Sequence, residues 1–166
     1  NVVFWTLFEQ AGSSLTLFAD RNTDRSVFGL FTMSAPQTQN FNPLTIVFFA
    51  PVMSALWAWL ARRGREPSIP VKFGLALIGV GAGFLFLVLG STFAGPDFRV
   101  GLWWLAGLYF IHSIAELCIS PVGLSMITKL SLARIVGLMM GVWYLSLSLG
   151  QSLAGLLAQE ASVETV

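Results

Sequence analysis

Five times in 166 residues the chain runs for about twenty positions with hardly a charged side chain. The stretches lie at 2–19, 42–61, 70–90, from about 100 into the region of Pro121 and on toward Lys129, and from about 134 to 158. An α-helix rises about 1.5 Å per residue, so about twenty apolar residues cross the roughly 30 Å hydrocarbon core of a bilayer. No water reaches that core, and a helix satisfies its own backbone donors and acceptors. The expected fold is an all-α membrane protein, a bundle of about five transmembrane helices. Composition agrees: 10% of the residues are charged, against about 25% in soluble domains, and mean hydropathy is +0.77. The 14 Phe and 6 Trp suit a lipid-facing surface with interfacial aromatic belts.

Several function classes are excluded by the same inventory. A net charge of +1 gives no support for a nucleic-acid partner. Cys118 is the single cysteine, so no internal disulfide forms; in its apolar run it reads as a small buried hydrophobe. His112 is the single histidine, and Cys118 does not share its helix face, so no metal site is expected. Ser113 and Ser120 lie near His112 without any oxyanion-hole feature, and no phosphate-cradling loop occurs. Neither an enzyme nor a cofactor is expected. There is no soluble domain and no short-period repeat. The chain opens on Asn1 without Met or a basic segment ahead of the apolar run. No cleavable signal peptide is expected, and the start reads as a cut through a longer protein.

Orientation follows from the basic residues. Arg62, Arg63, Arg65 and Lys72 follow the second stretch, and Lys129 and Arg134 follow the fourth. Only Arg21, Arg25 and Arg99 occupy the other side, beside Asp20, Asp24 and Asp97. Six against three places the turns at 62–72 and 129–134 in the cytoplasm. Asn1 then starts inside, and the tail with Glu160 and Glu164 ends outside. The long outer connection at 20–41 reads as an ordered loop with a short apolar turn around 27–31. In the third helix Gly74, Gly79, Gly81 and Gly83 would let a neighbour approach closely.

Ionisable groups at membrane depth are costly and tend to face a cavity or a pathway. Glu116 sits mid-helix, with His112, Ser113, Ser120 and Tyr109 along the same stripe. Its functional reading is a ligand or proton site; its plain reading is a structural hydrogen bond to His112 or to another helix. A carboxyl group out of water resists ionisation, and a cation beside it favours the charged form. Such a group can exchange a proton for an incoming ammonium. Glu9 follows Trp5 by one helical turn and reads either as half of an ion pair or as a carboxyl held by local hydrogen bonds. Asn42 precedes Pro43 where the second helix should begin, a good N-cap pattern, and a ligand role is compatible with it. Trp143, far from the ends of its helix, reads as packing, with a ligand-stacking role left open.

The segments FWTLFEQAGSSLTLFADRNTD, FNPLTIVFFAPVMSALW, AELCISPVGLSMITKL and ARIVGLMMGVWYL resemble the second half of a proton-coupled oligopeptide transporter. That family is called POT or PTR and belongs to the major facilitator fold. The last two segments are the most specific, and they occur together with FEQxGSSL and FNPL. The resemblance covers nearly the whole chain and maps it onto the seventh to eleventh of twelve core helices. Residues 1–166 would then be a partial C-terminal bundle, with the N-terminal half and the last helix outside it.

This resemblance implies uptake of di- and tripeptides driven by the proton gradient across the cell inner membrane. Two six-helix halves would alternate around a site at mid-membrane. It implies a peptide substrate, the N-terminal half and the lipid bilayer as partners, with protons as the coupling ion. By position, Glu116 resembles the carboxylate that receives the peptide's amino end, and Asn42 the amide that contacts its backbone or amino end. Trp5 and Phe8 resemble the aromatic wall of the seventh helix. Glu9 resembles the carboxylate of the outer gate, paired with a first-helix arginine. Ser120 and Trp143 resemble further pocket-lining residues, and Lys129 the inner end of the tenth helix, where charges help the inner gate. Family members often have Gly where this chain has Ala115, which would tighten packing there. A same-fold carrier of nitrate or another small solute is one alternative; a structural membrane subunit is the other.

Overall fold

The computed structural model describes residues 1–27, 29–95 and 97–161, with Ala161 described by its backbone. Phe28, within the apolar turn expected at 27–31, and Glu164, in the expected tail, lie outside the described residues. Among the described residues there are six α-helices: α1 (Val2–Phe8), α2 (Ser14–Asn22), α3 (Phe41–Arg62), α4 (Ile69–Ser91), α5 (Leu102–Leu130) and α6 (Val136–Ala161). The last four are each long and apolar enough to cross a membrane, and the protein is an integral membrane protein.

Four expected spans agree with α3 to α6 to within a few residues. The first does not. The stretch at 2–19 is broken: α1 ends at Phe8, a 3₁₀ turn covers Glu9–Gly12, and α2 begins at Ser14. Ser13 between them leaves helical backbone, with φ −128° and ψ −93°. The succession Gly12–Ser13–Ser14 explains the break. Glycine costs helix about 1 kcal/mol relative to alanine, and serines offer the backbone competing bonds. Local side chains secure the new path: the Ser14 hydroxyl donates to Gln10 Oε1 at 2.5 Å, and the Thr16 hydroxyl to the Ala11 carbonyl at 2.7 Å.

The connection after α2 is ordered by small pairings. β1 (Thr23–Asp24) pairs in parallel with β4 (Val100–Gly101) just before α5, and β2 (Ser26–Val27) forms a hairpin with β3 (Phe31–Thr32). Asp20 and Arg25 form an ion pair at 3.0 Å. A 3₁₀ turn over Pro36–Asn40 runs straight into α3.

α5 is the centre of the bundle. α4 lies along it most extensively, α3 covers a second side, and α1 packs on α6. The α4–α5 crossing is close because of two of the four expected glycines. A Cβ on Gly79 would stand 2.8 Å from the Ala115 Cβ, and one on Gly83 would stand 2.4 Å from His112 Cδ2. Ala115 is thus a small residue set against a small residue. Gly74 and Gly81 have nothing within 4 Å of a built Cβ and serve no such contact within the described residues. Phe4, Trp5, Val80, Ile119 and Trp143 belong to one buried cluster, and Leu15, Leu105, Leu108 and Tyr109 to another near α2. Cys118 is buried, as its apolar run suggests.

Candidate functional site

A polar contact joins α3 to α5, and a hollow lies beside the two helices. At one end, Asn42 stands in the first turn of α3. The helix begins at Phe41 and its N-cap is Asn40, so the expectation that Asn42 caps it is overturned. The reason lies in the preceding 3₁₀ turn: it leads the chain directly into the helix and leaves the Asn42 amide free to reach sideways. That amide donates to Glu116 Oε2 at 3.0 Å and to Ser113 Oγ at 3.0 Å, both on α5. Ser113 in turn donates to the Tyr109 carbonyl at 2.7 Å.

His112 does not take part in this set. It is fully buried, and its Nε2 bonds the Val80 carbonyl of α4 at 3.1 Å, with Phe8 and Phe84 rings beside it. Histidine and glutamate one turn apart thus part company: His112 faces α4, while Glu116 meets α3. Of the two bonds open to Glu116 from sequence, His112 or another helix, the structure shows the second.

Glu116 lines a cavity of about 810 Å³ between α3 and α5, together with Ser120, Met53 and Trp57. The far end of that cavity carries Lys129, Lys72 and Glu66. Both basic turns therefore lie at one end of the bundle. A second pocket of about 320 Å³ is lined by Asn42, Phe8, Glu9, Tyr109 and His112. Asn42 lines the smaller space and Glu116 the larger, so their bond runs from the lining of one to the lining of the other. Glu9 accepts a bond from Gln151 Nε2 at 3.3 Å, which ties the 3₁₀ turn to α6.

Pro121 sits inside α5 and Pro51 inside α3. A proline has no N–H, so each interrupts its helical ladder, at the carbonyls of Leu117 and Val47. Leu117 and Pro121 both line the larger cavity.

The remaining expected site residues separate into two groups. Phe8, Glu9, Ser120 and Lys129 line one or other of these spaces. Trp5 and Trp143 stand in the core. Trp5 is 8% exposed, donates its indole N–H to Asn1 Oδ1 at 3.0 Å and packs edge-on to Phe4 and Phe8. Trp143 is 8% exposed, faces the Phe73 ring, and lies across Gly123, where a Cβ would come 2.1 Å from its ring. Glu9 caps α1 with its N–H on the Trp5 carbonyl, one turn back; Trp5 lies in the core and Glu9 lines the smaller pocket.

Lys72, at the edge of the basic turn, falls within the apolar stretch at 70–90, and the structure agrees. It lies inside α4, one turn from its start, and is 5% exposed. Its ammonium meets Glu66 at 2.6 Å and the Trp57 ring at 4.6 Å. The signal in sequence was Pro70: proline favours the first turn of a helix, which puts Lys72 within it. Met53 and Trp57, which wall the larger cavity, carried no signal beyond their place on an apolar helix.

Comparison with known proteins extends this picture. The peptide transporter YePEPT of Yersinia enterocolitica is 38% identical over 160 residues, which cover 93% of this chain and 30% of that protein. Dipeptide and tripeptide permease A of Escherichia coli (strain K12) is 34% identical over 161 residues, covering 95% of this chain and 31% of the permease. Among solved structures, a mutant of peptide transporter POT in complex with alafosfalin superposes with a TM-score of 0.84 at 35% identity, covering 95% of this chain and 32% of that one. The chain thus spans about a third of the length of the relatives it matches. The POT family model matches residues 1–166. An all-α bundle centred on α5, with this match along its whole length, belongs to the POT family.

Proposed function

We propose that the intact protein carries di- and tripeptides across the inner membrane by proton-driven symport, and that this chain supplies part of its C-terminal six-helix half. The observation that carries the reading is the bond from Asn42, which lines one cavity, to Glu116, which lines another. A carboxylate there is held by a neutral amide. The ammonium of a peptide, a stronger donor with full charge, would take that place and free the Asn42 amide to meet the peptide backbone. Glu9 lines the smaller pocket near Asn42, and among the described residues no lysine or arginine lines that pocket. A cation from the other half, or a proton, would stabilise it there. Lys129 at the far end of the larger cavity would serve the inner gate, and Ser120 would line the path between. Phe8 would wall the smaller pocket and Trp5, packed edge-on to it, would hold that wall in place; Trp143 would brace α4 at Phe73 and α5 at Gly123.

The relatives named dipeptide and tripeptide permease support this substrate class over nitrate. A carboxylate as the central group also favours a cationic end over an anion. Support for the expected orientation comes from both basic turns lying at one end of the bundle, which would be the cytoplasmic one. Glu116→Gln in the intact protein should abolish proton-driven uptake of dialanine by proteoliposomes, at normal expression and helicity. Uptake at the wild-type rate would refute the assignment. Strong competition by nitrate, with none by dipeptides, would favour the same-fold alternative.

A further inference from the structure

We propose that the turn closing α3 is a binding site for the headgroup of an anionic phospholipid. Gly64 ends the helix in the left-handed conformation, φ +65°, with Gly64 N–H on the Ala61 carbonyl at 3.0 Å and Arg65 N–H on the Leu60 carbonyl at 2.9 Å. This closure folds the chain back over the helix end, so that Arg62, Arg63 and Arg65 share one turn. All three are exposed, and none joins an ion pair among the described residues. The one carboxylate in the same turn, Glu66, is engaged by Lys72 at 2.6 Å. The turn therefore presents three unneutralised guanidinium groups.

Positive charge at a helix C-terminus is favourable without any ligand, and a solvated basic turn is the plain reading. Two further features point beyond it. The Arg63 guanidinium lies 4.0 Å over the Trp59 ring, which holds it flat against the helix instead of loose in water. Val52, Leu56, Trp59 and Arg63 follow at spacings of four, three and four, so they form one stripe, and its apolar members are 40–55% exposed. A stripe of apolar side chains topped by guanidinium groups matches acyl chains topped by a phosphate. Arginine suits that phosphate because its fork of N–H groups binds two oxygens together. A free phosphate would use the charges alone and leave the stripe without a role.

The test uses the intact protein in nanodiscs of phosphatidylcholine doped with phosphatidylglycerol, with retained lipid counted by native mass spectrometry after partial delipidation. Wild type should retain phosphatidylglycerol well above its share of the bilayer. The variant carrying Arg62→Gln, Arg63→Gln and Arg65→Gln should lose that enrichment, by about fivefold for each arginine removed. The corresponding Arg→Lys variant should keep most of it, and Arg21→Gln with Arg99→Gln, at the opposite end of the bundle, should keep all of it. Circular dichroism guards against misfolding, and the Arg→Lys variant reports on charge even if the glutamine variant is unstable. Equal enrichment in wild type and the glutamine variant would overturn the proposal, as would full displacement of the lipid by millimolar inorganic phosphate. Loss of stability in pure phosphatidylcholine, with lipid retention unchanged, would assign the turn to a protein contact and also overturn it.

Discussion

Gly83→Ala should cost the protein far more than its one methyl group suggests. The new Cβ would lie 2.4 Å from His112 Cδ2 and 2.6 Å from Nε2. Non-bonded carbons rest at about 3.5–4.0 Å, so the ring must retreat by about 1 Å or more. Its bond to the Val80 carbonyl, now 3.1 Å, then leaves hydrogen-bonding range. Overpacking a core costs about 1–3 kcal/mol. An interhelical hydrogen bond in a membrane protein contributes about 0.6 kcal/mol on average and about 1.7 at most. Replacing glycine by alanine in a helix returns about 0.5–1 kcal/mol. The net loss is about 1–4 kcal/mol. The assay is unfolding of the intact protein in mixed micelles, followed by circular dichroism, for Gly83→Ala, His112→Ala and the double variant. Without the imidazole the clash disappears, so Gly83→Ala on the His112→Ala background should be neutral or slightly stabilising. An equal cost in both backgrounds would refute the claim that this glycine exists to admit the ring.

Two more outcomes are expected from the same assay. Glu66→Gln should destabilise by about 1–3 kcal/mol, because it leaves the buried Lys72 ammonium without its anion. Lys72→Met should cost less, since Glu66 is 42% exposed and returns to water; the opposite order would show that the pair's attraction, not burial of the lysine, dominates. Gly64→Ala should cost about 1 kcal/mol for its left-handed backbone, whereas Gly74→Ala, with open space at its Cβ and helical backbone, should be neutral or stabilising. A melting shift of equal sign for both would contradict this.

The long spans were legible because length and hydropathy decide them: α3 to α6 need little more than about twenty apolar residues in a row. The break after Phe8 was not, since apolarity continues through it and only the Gly12–Ser13–Ser14 succession marks the weak point. Asn42 shows a second limit. Asn before Pro is a sound cap signal, but the 3₁₀ turn at Pro36–Asn40 moved the cap to Asn40 and turned Asn42 toward Glu116. Periodicity placed His112 and Glu116 on one stripe. It could not tell that Gly83 opens a notch in α4 for the imidazole, and so parts the two side chains. Glu116 and Asn42 each stand out in the sequence, but nothing there pairs them; their bond is seen only in the structure. That one of them lines the larger cavity and the other the smaller depends on how α3 leans on α5, which no local pattern records.

The two proline-interrupted helices, α3 and α5, are also the walls of the larger cavity. Each lacks one rung of its ladder near the middle, so bending there sacrifices no backbone bond that existed before. The α4–α5 crossing, by contrast, is locked by methyl-sized contacts at Gly79 and by an imidazole seated at Gly83. Compliance is therefore distributed unevenly. The side of α5 that faces α4 is stiff, and the side that faces α3 can flex about Pro121, widening or narrowing the passage below Glu116 without unseating the rest of the bundle.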